Sequence, residues 1–280
     1  MVNTPRNRQA GSHGFFALQE PGAPRILRDY ESENMSQDTI YSKKLPTVPP
    51  FEFNENVAGV FNDMIHRSVP LYRETVRRQA QLAARFYKEG TSVIDLGCSN
   101  GNFGMRLLHE MGKRPLRVVA VDNSAPMLEI FQERLDNHPA GDRIELIRAN
   151  IQDLAMEPAS VVVLNLTLQF LPVAERDALI ARAHEALVPG GILLITEKVV
   201  HEEKELTDLQ QEFYYRFKGE NGYSNLEISQ KRDALENVLI PETVETHTAR
   251  FNAAGFTKVD IWQKWFHFTS FICMKNEKET

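Results

Sequence analysis

Val93-Ile94-Asp95-Leu96-Gly97-Cys98-Ser99-Asn100-Gly101-Asn102 joins an apolar, β-branched run to a turn that holds two glycines. A residue without a Cβ lets the backbone turn sharply and approach a ligand closely at the carboxyl edge of a sheet. The spacing is Gly-x-x-x-Gly, which fails the strict Gly-x-Gly-x-x-Gly dinucleotide pattern and weighs against NAD, while a nucleotide-like cofactor stays implied. Outward from this turn the same unit recurs. Apolar runs at 92–96, 116–121, 144–149, 160–165 and 192–197 alternate with segments of helical spacing, Phe103, Leu107 and Met111 in the first and Met127, Phe131 and Leu135 in the second. Ser124 suits a helix cap with Pro126 in the first turn, and the helix expected over 174–187 is stopped by Pro189, Gly190 and Gly191. Strands alternating with helices predict a doubly wound α/β fold with a mostly parallel sheet.

The carboxyl-terminal third breaks the rhythm. Helices are expected over 203–218 and 225–239, around a loop at 219–224, and a last helix over 242–254. Two strand-like runs follow, 258–265 and 269–274, joined so briefly at 266–268 that an antiparallel pair is expected. The sheet then has seven strands, with a helical insertion at 203–239 before the last two. At the other end, residues 1–50 are rich in Pro, Gly, Arg, Asn, Gln and Ser and sustain no apolar period, so they are expected to form a mobile arm preceding a catalytic domain over 51–280.

Composition removes several function classes. The chain has 32 basic and 38 acidic residues and a net charge of -6, the wrong sign for a protein that grips nucleic-acid phosphates unaided. The most apolar stretch, 161–171, is interrupted by Asn165, Thr167 and Gln169, so no membrane span is expected. The first residues lack an apolar signal core, and two cysteines, Cys98 and Cys273, cannot make a disulfide framework; a cytoplasmic setting is expected. No Cys, His or Lys cluster shows metal-ligand spacing, so metal-assisted O-methylation is poorly supported and no metal is expected.

The chemistry concentrates at strand ends. Gly97 opens the turn after the first strand, Asp122 closes the second and offers a carboxylate to two ribose hydroxyls, Asn150 and Ile151 follow the third, and Asn165 ends the fourth. Each has a plain structural reading as turn, cap or buried backbone partner; four together on one sheet edge favour a site. These residues resemble the first motif and strand ends of class I S-adenosylmethionine-dependent methyltransferases, a Rossmann-like fold. The resemblance implies that Gly97, Cys98 and Ser99 hold the methionine part of S-adenosyl-L-methionine, Asp122 and Asn123 the ribose, and Asn150 and Ile151 the adenine. Where amide and amine methyltransferases carry Pro-Pro-aromatic, this chain reads Asn165-Leu166-Thr167-Leu168-Gln169-Phe170, which disfavours those acceptors.

Three blocks carry a narrower resemblance: Phe61-Asn62-Asp63-Met64-Ile65-His66-Arg67-Ser68-Val69-Pro70-Leu71-Tyr72, Leu164-Asn165-Leu166-Thr167-Leu168-Gln169-Phe170-Leu171, and Asn221-Gly222-Tyr223-Ser224-Asn225-Leu226-Glu227-Ile228-Ser229-Gln230-Lys231-Arg232. They resemble the carboxy-S-adenosyl-L-methionine synthase family from Met35 onward. The resemblance implies a carboxyl transferase: the sulfonium methyl loses a proton and the ylide captures the carboxyl group that prephenate releases on aromatising to phenylpyruvate. Carboxy-S-adenosyl-L-methionine then serves a separate tRNA-modifying enzyme that makes 5-oxyacetyluridine at the wobble position. It further implies a homodimer, Arg232 gripping the new carboxylate through two parallel hydrogen bonds, and Tyr72 lining the cofactor pocket. Lys231 receives no role, and neither His66 nor His247 is named as a base, since a lone histidine is more often structural. Met35-Ser36-Gln37-Asp38 resembles the family's amino terminus, so Met35 is expected to be either the true start or the first residue of the functional enzyme. An ordinary methyltransferase of a small molecule or RNA is the rival reading from the first motif alone, and a non-catalytic cofactor-binding partner the third.

Overall fold

The computed structural model describes residues 36–277. Seven strands lie in the order β3-β2-β1-β4-β5-β8-β7: β1 Ser92–Leu96, β2 Val118–Asp122, β3 Ile144–Arg148, β4 Ala159–Asn165, β5 Leu187–Val200, β7 Lys258–Trp265 and β8 Phe268–Met274. The first five run parallel; β8 pairs antiparallel with both β5 and β7. A two-residue strand, β6 Glu242–Thr243, pairs with the far end of β5.

Period-two alternation sorts the strand residues between two layers. Val93, Val118, Ala120, Val161 and Leu194 face α2 (Tyr72–Phe86), α3 (Asn102–Met111) and α4 (Ala125–Asp136). Ile94, Val119, Val162 and Ile195 face α5 (Val173–Ala186) and α8 (Val244–Ala253). The chain runs outward from β1 to β3, then returns to β4 on the other side of β1, so a crevice opens where the carboxyl ends of β1 and β4 diverge.

A third apolar cluster covers that crevice: Tyr41, Phe51, Val57, Phe61, Met64, Met127 and Ala234 join α1 (Glu55–Ser68) to α4 and α7 (Asn225–Leu235). This corrects the expected arm. Residues 1–35 lie outside the described ones, but 36–50 are anchored: Asp38 and Tyr41 are buried, and Gln230 receives Leu45 N–H (2.7 Å) while donating to Tyr41 and Lys43 carbonyls. Pairing with a distant side chain substitutes there for an apolar period. The expected helix over 225–239 stops at Leu235, and the helix expected from 242 begins at Val244 because Glu242 and Thr243 join the sheet edge. The inserted α6, Lys204–Glu220, and α7 follow β5 as expected.

Candidate active site

The glycine turn owes its shape to two different constraints. Gly97 has φ +81°, and a Cβ there would fall 2.4 Å from the Thr167 side chain; Gly101 has φ +86°, and its Cβ would strike Phe131 at 2.1 Å. The missing Cβ at Gly101 therefore serves core packing, a correction to the expectation of ligand approach at both. Gly97 and Cys98 donate to the Val121 carbonyl, and Ser99 N–H donates to Asp122 Oδ2 at 2.8 Å. The other carboxylate oxygen, Oδ1, accepts from Ser124 N–H at 2.9 Å. Burial raises the Asp122 pKa, opposed by these N–H donors.

Asp95, at the end of β1, has Oδ2 buried without a partner, and Asn165, at the end of β4, has Oδ1 in the same condition. Burial, with Asp122 nearby, pushes Asp95 up to about 8. Beyond β2 and β3, Asn123 Nδ2 donates to Asn150 Oδ1 at 3.1 Å, and Ile151 is buried beside them. Tyr72 is buried, accepts from Asn102 Nδ2 at 3.3 Å, and keeps its own O–H proton available; burial pushes its pKa up to about 12. Asn62 accepts from both Asn100 and Asn102, tying the 61–72 block to the glycine turn.

One cavity of about 830 Å³ is lined by Tyr72, Gly97, Cys98, Ser99, Asp122, Asn123, Asn150, Ile151, Asn165 and Arg232, so all ten sequence-derived residues meet there. Arg232 sits at its exposed rim with Nε and Nη2 both on Asp233 Oδ1, at 3.1 and 2.9 Å. Lys231 lies inside: it is buried and donates to Ser68 Oγ at 3.2 Å. Lys198 and Lys218 also line the cavity and were not singled out from sequence. Neither His66 nor His247 lines it; burial, aided by neighbouring arginines, pushes both down to about 4, and His247 packs on Phe251 and Phe271.

The loop after β4 is shaped from below. Fully buried Glu197 accepts N–H bonds from Thr167, Leu168 and Gln169 at 2.8 to 3.1 Å. Burial raises its pKa to about 8 against the pull of those donors. The unpartnered acceptors Asp95 and Asn165, the Asp122 carboxylate and the crowded Gly97 turn fit a polar nucleoside that carries positive charge. Among the described residues no group of three or more His, Cys, Asp or Glu is placed to hold a metal ion, and no helix is long and apolar enough to cross a membrane.

A parallel five-strand core ended by an antiparallel pair, with a glycine turn at the switch between β1 and β4, is a class I methyltransferase fold. Residues 93–191 match the family model of a methyltransferase domain. The fold is similar to that of an O-methyltransferase family protein from Burkholderia thailandensis (TM-score 0.60, 18% identity, 84% of this chain and 66% of that one). It is also similar to human N-acetylserotonin methyltransferase in complex with SAM (TM-score 0.56, 12% identity, 79% and 55%). Closer in sequence is carboxy-S-adenosyl-L-methionine synthase of Desulforapulum autotrophicum, 52% identical over 244 residues that cover 87% of this chain and 99% of that one. The protein of the same name from Shewanella oneidensis is 45% identical over 242 residues, 86% and 100% of the two chains. The chain belongs to the carboxy-S-adenosyl-L-methionine synthase family and is an enzyme of that kind, a transferase that uses S-adenosyl-L-methionine.

Proposed function

We propose that the enzyme converts S-adenosyl-L-methionine and prephenate to carboxy-S-adenosyl-L-methionine, phenylpyruvate and water. The cofactor supplies a sulfonium whose methyl carbon exchanges one proton for the carboxyl group of prephenate; that proton and the departing hydroxide make the water. The observation that carries this reading is the cavity of about 830 Å³, which has unpartnered acceptors at its glycine-turn end and buried cations in its wall.

In this reading Asp122 accepts from the ribose hydroxyls while its backbone bonds to Ser99 and Ser124 fix its rotamer. Asn123 supports Asn150, whose second lone pair and the Ile151 N–H serve adenine. Gly97, Cys98 and Ser99 hold the methionine part, and Asn165 Oδ1 accepts from its amino group. Tyr72 donates its free O–H toward the new carboxylate, and Arg232 exchanges Asp233 for that carboxylate, where its planar fork gives two parallel bonds. Phe53, edge-on to Phe51 at 5.1 Å and to Phe170 at 5.3 Å, keeps water from the reacting carbon. No metal takes part.

The reaction belongs to the cytoplasm, and its product supplies a separate tRNA-modifying enzyme that forms 5-oxyacetyluridine at the wobble position; this chain touches neither nucleic acid nor membrane. The working form is a homodimer through the outer face of α6, where Leu206 and Leu209 are exposed. Mass spectrometry after incubation with S-adenosyl-L-methionine and prephenate tests the reaction. A cofactor heavier by one carboxyl group is expected; demethylated cofactor with a methylated acceptor would establish an ordinary methyltransferase instead.

A further inference from the structure

Three ammonium groups share one stretch of the cavity wall. Lys198 comes from the end of β5, Lys218 from the last turns of α6 and Lys231 from α7; Lys218 and Lys231 are only 4% and 6% exposed, and Lys198 is half-buried. Two tyrosine rings interleave them. Tyr214 lies 5.3 Å from Lys198 Nζ and 5.4 Å from Lys218 Nζ, and Tyr223 lies 5.4 Å from Lys218 Nζ and 5.7 Å from Lys231 Nζ.

Their opposite charges are few. Lys231 has Asp38 Oδ2 at 3.8 Å, but that oxygen already accepts the Tyr223 O–H at 2.5 Å. Glu227 is engaged in the capping box with Ser224. Among the described residues, neither Lys198 Nζ nor Lys218 Nζ makes a hydrogen bond or ion pair, although Lys198 N–H donates to Gln169 Oε1. Three cations against the carboxylates of Asp38 and Glu227, with Asp63 paired to Arg67, leave an excess of positive charge in a largely buried space. An ammonium without a partner is costly there, and ring faces recover only part of its lost hydration. Burial pushes Lys198 down to about 8, Lys231 to about 8 and Lys218 to about 7, the last also repelled by the other two. A fold that keeps such groups together around an open cavity meets its charge demand when an anion enters.

We propose that Lys198, Lys218 and Lys231 form the site that holds the carboxylates of a small dicarboxylate substrate, whose negative charge answers that excess. This rests on the reading of the acceptor as prephenate and assigns residues to it. Lysine suits such a site because its compact charge and three rotatable donors tolerate a carboxylate that shifts as one carboxyl group leaves, whereas a rigid guanidinium fork favours one fixed geometry. Arg232 then recognises what is formed, and the lysines recognise what arrives.

The test uses the full chain. Lys218→Met and Lys231→Met should each raise KM for prephenate at least tenfold while the Kd for S-adenosyl-L-methionine changes less than twofold. Lys218→Arg and Lys231→Arg should recover most of the loss. An unchanged KM, or an equal loss of cofactor affinity, overturns the proposal. A second measurement needs no variant: reductive methylation of the wild-type chain, read by peptide mass spectrometry, should mark Lys198, Lys218 and Lys231, and saturating prephenate should protect them. An enzyme that turns prephenate over yet shows no protection has its substrate anion elsewhere. An enzyme that is protected by prephenate but forms no carboxylated cofactor keeps the anion site and loses the reaction assigned to it.

Discussion

Asp122→Ala removes an acceptor from two backbone N–H groups as well as from the ribose. We expect the cofactor Kd to rise at least tenfold, about 1.4 kcal/mol or more, because the hydroxyls would enter a cleft with no acceptor in place. Calorimetry checks this, and an unchanged Kd would leave Asp122 as a turn-former only. Arg232→Lys should weaken binding of the carboxylated cofactor and spare the fold, since only the rim is altered. Losing one charge-assisted bond costs about 1.5 to 3 kcal/mol, and the 55% exposure of this side chain places the expectation at the lower end, about tenfold in Kd. Equal affinities of the two proteins for carboxy-S-adenosyl-L-methionine would take Arg232 out of the site. Residues like Asp122 and Asn165 were legible because a parallel sheet puts every strand's carboxyl end on one edge, so sequence position alone collects them. Lys198, Lys218 and Lys231 were not. Each reads as an ordinary surface lysine, and only the packing of α6 and α7 over the crevice turns them inward.

The elements show the same division between local and tertiary signals. Parallel strands such as β1, β2 and β4 were legible because they are buried apolar runs, the glycine turn fixes where the first one ends, and the short join between β7 and β8 marks them as an antiparallel pair. Helix α1 carries a local signal, with Asn54 as its cap and Val57, Phe61 and Met64 recurring at helical spacing. Helix α2 carries its own periodic signal as well, with Tyr72, Val76, Ala80, Ala83 and Ala84 recurring at helical spacing on its buried face. The loop after β4 depends on an element outside it, Glu197 of β5, which receives three successive N–H groups. Glu197→Gln turns an acceptor into a donor against at least one of them. We expect a loss of about 1 to 3 kcal/mol in urea unfolding, together with weaker cofactor binding through the displaced Thr167 and Asn165. Unaltered stability would show that the loop holds its shape through the 3₁₀ turn at Leu168–Phe170 alone.

At the scale of the whole molecule, apolar surface and buried charge each make a prediction. Of the large apolar residues of α6, Phe217 packs on Trp265 and Tyr214 turns into the cavity, while Leu206, Leu209 and Phe213, the last stacked on Phe266 at 5.1 Å, stay exposed and remain for a partner. Light scattering should give a dimer mass, and a monomer mass at working concentration would end that proposal. The buried charges make stability depend on pH in an uncommon direction. Asp95 and Glu197, raised to about 8, stabilise the fold below their unfolded values near 4 and lose that contribution as pH rises through about 8. The pocket lysines act oppositely: depressed to about 7 or 8, they contribute stability that is complete above 10.5, the unfolded value, and lost as pH falls through 7 to 8. Just above pH 7, where the unfolded imidazoles of His66, His247 and His267 are already mostly neutral, the carboxylates dominate and stability falls. From 8 to 9 the carboxylates finish titrating and the three lysines dominate, so stability rises, by at most about 1.4 kcal/mol per pH unit for each lysine and less for half-buried Lys198. Above 9, the ordinary thiol value, the raised Cys98 and Cys273 oppose the rise. Urea titrations of the ligand-free protein should therefore show a minimum between pH 7 and 8, and Lys218→Met should flatten the limb above it. A limb that instead falls from pH 8 to 9 in the wild type would mean that the lysines keep their charge in the folded state, through partners or water that the cavity supplies.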